Sequence, residues 1–277
     1  MRDFKLVSQV SRANLERDVR ELSTKWPTRH TMSRHHEAIA DYLKGRMETL
    51  GLQTSLHTYT AQGKTRLNVI GETGPKNPRS TVLFCGHFDS RQERIDQPEA
   101  PAPGADDNAT GVATLLETAR LLKDVPLKDR VIFAFFSGEE QGLWGSAAYT
   151  RVVQKPPLRF VFNLDQIGYP AQKGDKAVFV DVDERGKSEN NAASKKLVAR
   201  CEELAKTIVK VPTRVDPVEG SDYVPFEQAG VTVLGLYEGE YRYPFYHKST
   251  DTADKVDYGY LTDMTRLTLA FLLDQCA

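Results

Sequence analysis

The run from Val131 to Phe136 constrains this chain more than any other stretch. VIFAFF is unbroken, apolar and rich in β-branched and aromatic side chains, and Ser137 and Gly138 end it. A short run without polar alternation reads as a strand covered on both faces, which requires helices above and below a sheet. Directly after it stand two adjacent carboxylates, Glu139 and Glu140, then Gly142 and a helical segment from Leu143. Consecutive residues beyond a strand end point in different directions, so one carboxylate can hold a metal while the other faces substrate or water. Alone, the pair reads first as a solvated acidic turn; the residues around it decide otherwise.

The rest of the chain supplies the covering layers. Ser11 can cap a helix carrying Leu15, Val19 and Leu22 on one face and ending near Trp26-Pro27. Thr31 or Ser33 can start a second, with Ile39, Tyr42, Leu43 and Met47 inward and Gly51 past its end. Leu52 to Thr60 and Leu67 to Gly71 read as a hairpin across Ala61-Gln62-Gly63. Thr81 to Gly86 is the next buried strand, Arg91 to Pro103 a loop, and Val112, Leu115, Leu116, Ala119 and Leu122 mark a helix. After the Leu143 to Val153 helix come strands at Leu158 to Leu164 and Lys176 to Val182, then a helix over Ala192 to Ile208. Glu219 to Gly230 reads as loop and short helix, Val231 to Tyr237 as a strand, Glu238 to Asp257 as a long loop and Tyr258 to Gln275 as a closing helix. This alternation predicts an α/β fold, a mostly parallel mixed sheet sandwiched by helices, in one domain spanning residues 1–277.

Composition narrows the partners. A net charge of -1 with scattered Lys and Arg offers no basic stripe for nucleic acid. No apolar run approaches the roughly 20 residues that cross a bilayer, so no membrane partner is expected. The start, MRDFKLVSQVSR, lacks the apolar core of a signal peptide. Cys85, Cys201 and Cys276 lie far apart without metal-type spacing, and Cys85 within a strand reads as a buried thiol.

Four strands deliver metal-type ligands: His87 and Asp89 after the first, Glu139 and Glu140 after the second, Asp165 after the third, and His247 in the loop after the fourth. Asp106 and Asp107 open the helix between the first two. In an open parallel sheet such residues converge where strand carboxyl ends meet a reversal of strand order.

GHFDS (Gly86 to Ser90), PGADDNATGV (Pro103 to Val112), SGEEQGLWGS (Ser137 to Ser146), NLDQIGY (Asn163 to Tyr169) and YHKSTDT (Tyr246 to Thr252) resemble, in order, the five signature stretches of the di-zinc M28 metallopeptidases, and most closely its single-domain bacterial leucyl aminopeptidases. The resemblance implies a zinc-exopeptidase-like fold with two zinc ions per chain. His87 and Asp165 would hold one, Glu140 and His247 the other, and Asp106 would bridge them, with the peptide bond after the bridging aspartate, Asp106-Asp107, cis. Two histidines and three carboxylates suit a zinc pair and leave a position open for water. Glu139 would act as general base, and Asp89 could accept the second ring proton of His87 and fix its tautomer. The implied substrate is a peptide with a free N-terminus, its amine near the zinc pair and its side chain in an apolar pocket. A monomer is expected, secreted or periplasmic with its export signal outside this chain, the cytoplasm being the alternative.

Other residues carry less. His30, His35 and His36 read as an exposed group at a helix start, and His57 as solvated on an edge strand. Ser221-Asp222-Tyr223 resembles the SD stretch lining the family's pocket, where a histidine often follows; Tyr223 leaves that contact open. Asp251 could order the metal loop or form a turn, and Trp144 and Tyr243 read as core. Rival functions are a glutaminyl cyclase, a single-zinc acyltransferase of this fold that departs from the family around the bridging aspartate, another exopeptidase such as a carboxypeptidase, and a metal-free binding domain.

Overall fold

A computed structural model of the chain describes residues 4–153, 157–170, 176–185, 188–218, 220–239 and 243–277. Ser11 accepts a hydrogen bond from the Asn14 amide and caps α1 (Arg12–Lys25), which buries Leu15, Val19 and Leu22 as its spacing predicts. α2 (His36–Thr49) starts later than Thr31 or Ser33, because turns closed by Ser33 N to His30 O and His36 N to Ser33 O occupy those residues. β1 (Gln53–Ala61) and β2 (Lys64–Thr73) form the expected hairpin, turning through Gln62 and Gly63, both at positive φ.

The remaining strands and α-helices are β3 (Thr81–His87), α3 (Thr110–Leu121), β4 (Arg130–Phe136), α4 (Trp144–Thr150), β5 (Leu158–Leu164), β6 (Val178–Val182), α5 (Ser188–Leu204), β7 (Thr213–Pro217), α6 (Val224–Gln228), β8 (Val233–Tyr237) and α7 (Tyr258–Cys276). One sheet holds all eight strands in the order β1-β2-β4-β3-β5-β8-β6-β7. Its centre, β4-β3-β5-β8, is parallel, while β2 and β6 join it antiparallel. β7 was not legible in the sequence: TRVDP is short, half exposed and rich in residues that strands avoid, and it is ordered as an edge by pairing with β6.

β4 is covered on both faces. Val131, Phe133 and Phe135 belong to the core beneath α1, α3 and α7 with Phe84, Phe160, Phe162 and Phe271, while Ile132, Ala134 and Phe136 join Ile70, Leu83, Tyr149 and Phe226 on the other side. Each such phenylalanine, fully buried, contributes about 1.5 to 3 kcal/mol by leaving water. The packing on both faces fixes the strand ends, so the carboxyl ends of β3, β4, β5 and β8 lie along one edge. The chain leaves β3 for β4 on one side and later returns to β5 on the other, and that reversal opens a crevice at the same edge.

Candidate metal centre and substrate cavity

β3 ends in His87, and its buried ring lies among carboxylates: Nε2 is 3.3 Å from Asp107 Oδ1, 3.2 Å from Asp165 Oδ1 and 3.9 Å from Glu139 Oε2. Across the crevice His247 Nε2 is 3.3 Å from Asp107 Oδ2 and 2.8 Å from Glu140 Oε2. Two groups result, His87 with Asp107 and Asp165, and Asp107 with Glu140 and His247, each with its candidate ligand atoms all within 4.8 Å of one another. Their common member is Asp107, whose two oxygens face opposite histidines.

The centre therefore differs by one residue from the expectation. Asp106 does not reach either histidine group: its Oδ1 accepts the Gly168 amide at 2.8 Å and the Thr110 hydroxyl at 3.3 Å, and it is wholly buried beside Glu238. Burial pushes the Asp106 carboxyl up to about 8, and burial together with Asp106 pushes Glu238 well above the ordinary glutamate range. The cis bond lies correspondingly one position later, at Asp107-Asn108. The turn is held by Asp251, whose Oδ1 and Oδ2 accept the Asp106 and Asp107 amides at 3.0 and 3.2 Å, and by Tyr243, whose hydroxyl donates to Asp251. Asp251 thus orders the loop. Gly104 precedes the turn at φ 54, where a side chain would collide with the Asp107 carbonyl, Ser90 and the Arg29 guanidinium.

Asp89 is buried, with Oδ2 accepting the Glu140 amide at 3.3 Å, but its carbonyl, 3.1 Å from His87 Nδ1, is nearer that ring than its carboxylate at 3.6 Å. Asp89 thus meets the second ring nitrogen first through main chain. The two glutamates after β4 diverge as expected: Glu140 accepts from Arg91 Nε at 2.9 Å beside His247, and Glu139 faces His87 and the cavity. Ser221 donates to Asp165 Oδ2 at 2.7 Å and accepts from Asn163 Nδ2 at 2.8 Å, which orients the carboxylate after β5.

Electrostatics follow from this crowding. Burial opposes charge on His87 and His247, yet the surrounding carboxylates outweigh it, holding His87 well above the ordinary histidine range and His247 at about 9. Burial would also raise Asp107, but the two imidazoles hold it below the usual carboxylate range. Burial pushes Glu139 well above its ordinary value, with His87 opposing and Asp165 and Glu140 reinforcing, and burial with Asp107 pushes Glu140 up to about 7. The buried atoms Asp107 Oδ2, Glu140 Oε1 and His247 Nε2 make no well-aligned hydrogen bond. Ligand separations of 3.2 and 3.3 Å match the roughly 3.4 Å edge of a tetrahedron with zinc bonds of about 2.1 Å. The donor set, two imidazoles and three carboxylates with orphaned atoms turned inward, fits a pair of divalent ions.

A cavity of about 380 Å3 opens beside the groups, lined by Asp107, Glu139, Glu140 and Asp165 at one end. Tyr223, left open in the sequence, lines it and donates to Asp181 Oδ2 at 2.9 Å. Several expectations fail on burial. His30 and His36 are 2% and 1% exposed, with His30 Nε2 3.1 Å from the Ile95 carbonyl and His36 Nε2 accepting the Leu67 amide at 2.9 Å. His57 is half buried against Tyr149 and Asn68. A lone Arg29 gave no sequence signal, yet it is wholly buried behind the site, bonding the Phe88, Leu22, Pro103 and Gly104 carbonyls; burial lowers its pKa to about 10 against the pull of Asp251, Asp107, Asp89 and Glu140. The cysteines are buried thiols outside any disulfide.

The chain matches the model of peptidase family M28 over residues 68–272. It is 31% identical over 211 residues to aminopeptidase YwaD of Bacillus subtilis, covering 73% of this chain and 42% of that protein. The solved structure of BSAP, a zinc aminopeptidase from Bacillus subtilis, superposes with a TM-score of 0.81 at 16% identity, over 96% of this chain and 95% of that one. A glutaminyl cyclase from Bacteroides thetaiotaomicron does so with a TM-score of 0.80 at 18% identity, over 96% and 98%. Such identities carry the fold alone. This chain spans 43% and 63% of the lengths of two further curated relatives, so those proteins are considerably longer than the region they share with it.

Proposed function

The chain belongs to peptidase family M28, and from that premise we propose that it is a metal-dependent aminopeptidase that hydrolyses the N-terminal peptide bond of peptides. His87, Asp107 and Asp165 would hold one zinc ion and Asp107, Glu140 and His247 the second, with Asp107 shared. The observation that carries the reading is the division of labour at the end of β4: Glu140 lies within a ligand group, while Glu139, outside both, lines the same cavity. When bound, the ions supply Lewis-acid polarisation of the scissile carbonyl and acidify water.

The chain's own residues do the rest. Glu139 accepts a proton from the water whose oxygen attacks the carbonyl carbon, then delivers it to the leaving nitrogen as the C–N bond breaks, releasing a free amino acid and a shortened peptide. A base so placed contributes about 10² to 10⁴ in rate. Ser221 and Arg91 hold the carboxylates of Asp165 and Glu140 in position. Glutaminyl cyclases share the fold, but two groups meeting at one aspartate favour a two-ion hydrolase over a one-ion acyltransferase. The test is metal content and leucyl anilide turnover on the wild type and Glu139→Gln. Two equivalents in both, with kcat down by about 10² to 10⁴ in the variant, is the expected result. One equivalent with cyclisation of glutaminyl peptides, or a zinc ion lost from Glu139→Gln, overturns it.

A further inference from the structure

One polar side chain in the cavity wall has nothing to bond. Gln166 follows the Asp165 carboxylate, is 7% exposed and lines the cavity. Among the described residues none hydrogen-bonds its carboxamide. A buried polar group without a partner is costly, and its presence calls for a ligand or another explanation. The backbone holds this one in place. Gln166 stands at φ 47, in the left-handed region that residues with side chains seldom adopt. Its carbonyl accepts the Glu238 amide at 3.0 Å, the Asp165 amide before it donates to the Leu236 carbonyl at 3.3 Å, and the Ile167 amide after it donates to the Thr110 hydroxyl at 3.4 Å. The turn is thus pinned to β8 and to α3, and a fixed backbone presents the carboxamide to the cavity.

The rest of the wall is polar as well. Besides the four carboxylates at the metal end it includes Asp181, Asp216, Ser221 and three tyrosines, and among the described residues Pro217 is its sole aliphatic side chain. The apolar side-chain pocket implied by the sequence resemblance is thus not what the cavity offers.

We propose that Gln166 sets the specificity of this cavity and that it selects a carboxamide side chain, so that the enzyme removes N-terminal glutamine in preference to methionine, which has nearly the same shape. The proposal rests on the aminopeptidase reading above, which puts the first residue of the substrate beside Asp165. A carboxamide carries N–H donors and a carbonyl acceptor in one plane, so two of them close a pair of hydrogen bonds in which each satisfies the other. A lysine or arginine side chain offers donors alone and pairs only the Gln166 oxygen, and a carboxylate offers acceptors alone and pairs only its nitrogen. Leucine and methionine pair neither and leave the buried amide as orphaned as before. A cavity of about 380 Å3 has room for glutamine, the longer of the two carboxamide side chains, with its stem along the tyrosine rings.

The experiment compares kcat/KM on glutaminyl, methionyl and leucyl anilides for the zinc-loaded wild type and for Gln166→Met, with the released product identified. The wild type should prefer glutaminyl over methionyl by at least about tenfold and release free glutamine, and the glutaminyl-to-methionyl ratio should fall by at least about tenfold in Gln166→Met. Free glutamine should also bind the wild type more tightly than methionine in titration calorimetry, a comparison that needs neither turnover nor a variant that folds. A wild type that prefers methionyl or leucyl substrate, a ratio that the substitution leaves unmoved, or equal binding of the two amino acids overturns the carboxamide pocket while leaving an aminopeptidase. Pyroglutamate as the product from glutaminyl anilide, or no turnover of any anilide, overturns the aminopeptidase reading itself.

Discussion

Asp106 and Asp107 are adjacent and chemically identical, yet they stand in different surroundings: one in a buried carboxyl pair with Glu238, the other between two imidazoles. Sequence spacing could not separate them, because the turn after Gly104 sets which carboxylate faces the crevice. Asp107→Asn should lose both metal ions, since an amide is a poor ligand and both groups lose their common member. Asp106→Asn replaces a carboxylate outside both groups by a group of the same shape, so it should retain both ions. Metal content after dialysis distinguishes the two, and two ions surviving in Asp107→Asn would refute the assignment. Ser221 and Asp181 teach the same lesson, since each acquires its partner from an element remote in sequence.

Among the elements, α2 shows how a polar residue comes to be buried. His36 opens it, stacks on Phe88 and accepts the Leu67 amide of β2, tying helix to sheet. Burial, with Arg66 adding to it and Asp89 opposing, lowers the imidazole to about 4. An unfolded histidine titrates near about 6.5. Above that value both states are neutral and the group contributes nothing to pH dependence; as pH falls from about 6.5 to 4 the unfolded chain takes up the proton first and stability drops, by up to about 3 kcal/mol. His36→Gln, whose Oε1 can still accept the Leu67 amide, should flatten that part of the profile. Denaturant unfolding at pH 7 and pH 4.5 on both proteins measures it, and parallel profiles would contradict it. The helix face of Ile39, Leu43 and Met47 was legible from its period, but the burial of His36 was not, because it depends on β2 arriving above the first turn.

At the scale of the whole molecule, the proposed metal ligands come from the ends of β3, β4 and β5, the turn before α3, and the loop after β8. Bound ions would tie these segments together. Ions at about a hundredfold above Kd at one site stabilise by about 2.7 kcal/mol, which in a chain of this size raises Tm by roughly 5 to 10 °C. Chelation should therefore lower Tm by at least that amount and zinc restore it, readable by scanning calorimetry or dye-monitored melting. An unchanged Tm would argue that the groups hold no ion in solution.

The apolar run of β4, the alternation of helix and strand, and the five ordered motifs were legible without coordinates, because burial on two faces leaves a local record in side-chain type and spacing. So was the set of strand ends carrying the proposed ligands, since a parallel sheet brings carboxyl ends to one edge. What the tertiary structure alone decided is which of two neighbouring aspartates faces the histidines, that TRVDP is an edge strand, that Arg29 is buried behind the site, and that Asp181 and Asp216 stand together in the cavity. Each of these depends on one segment arriving beside another distant in the chain, and such an encounter leaves no trace in local composition.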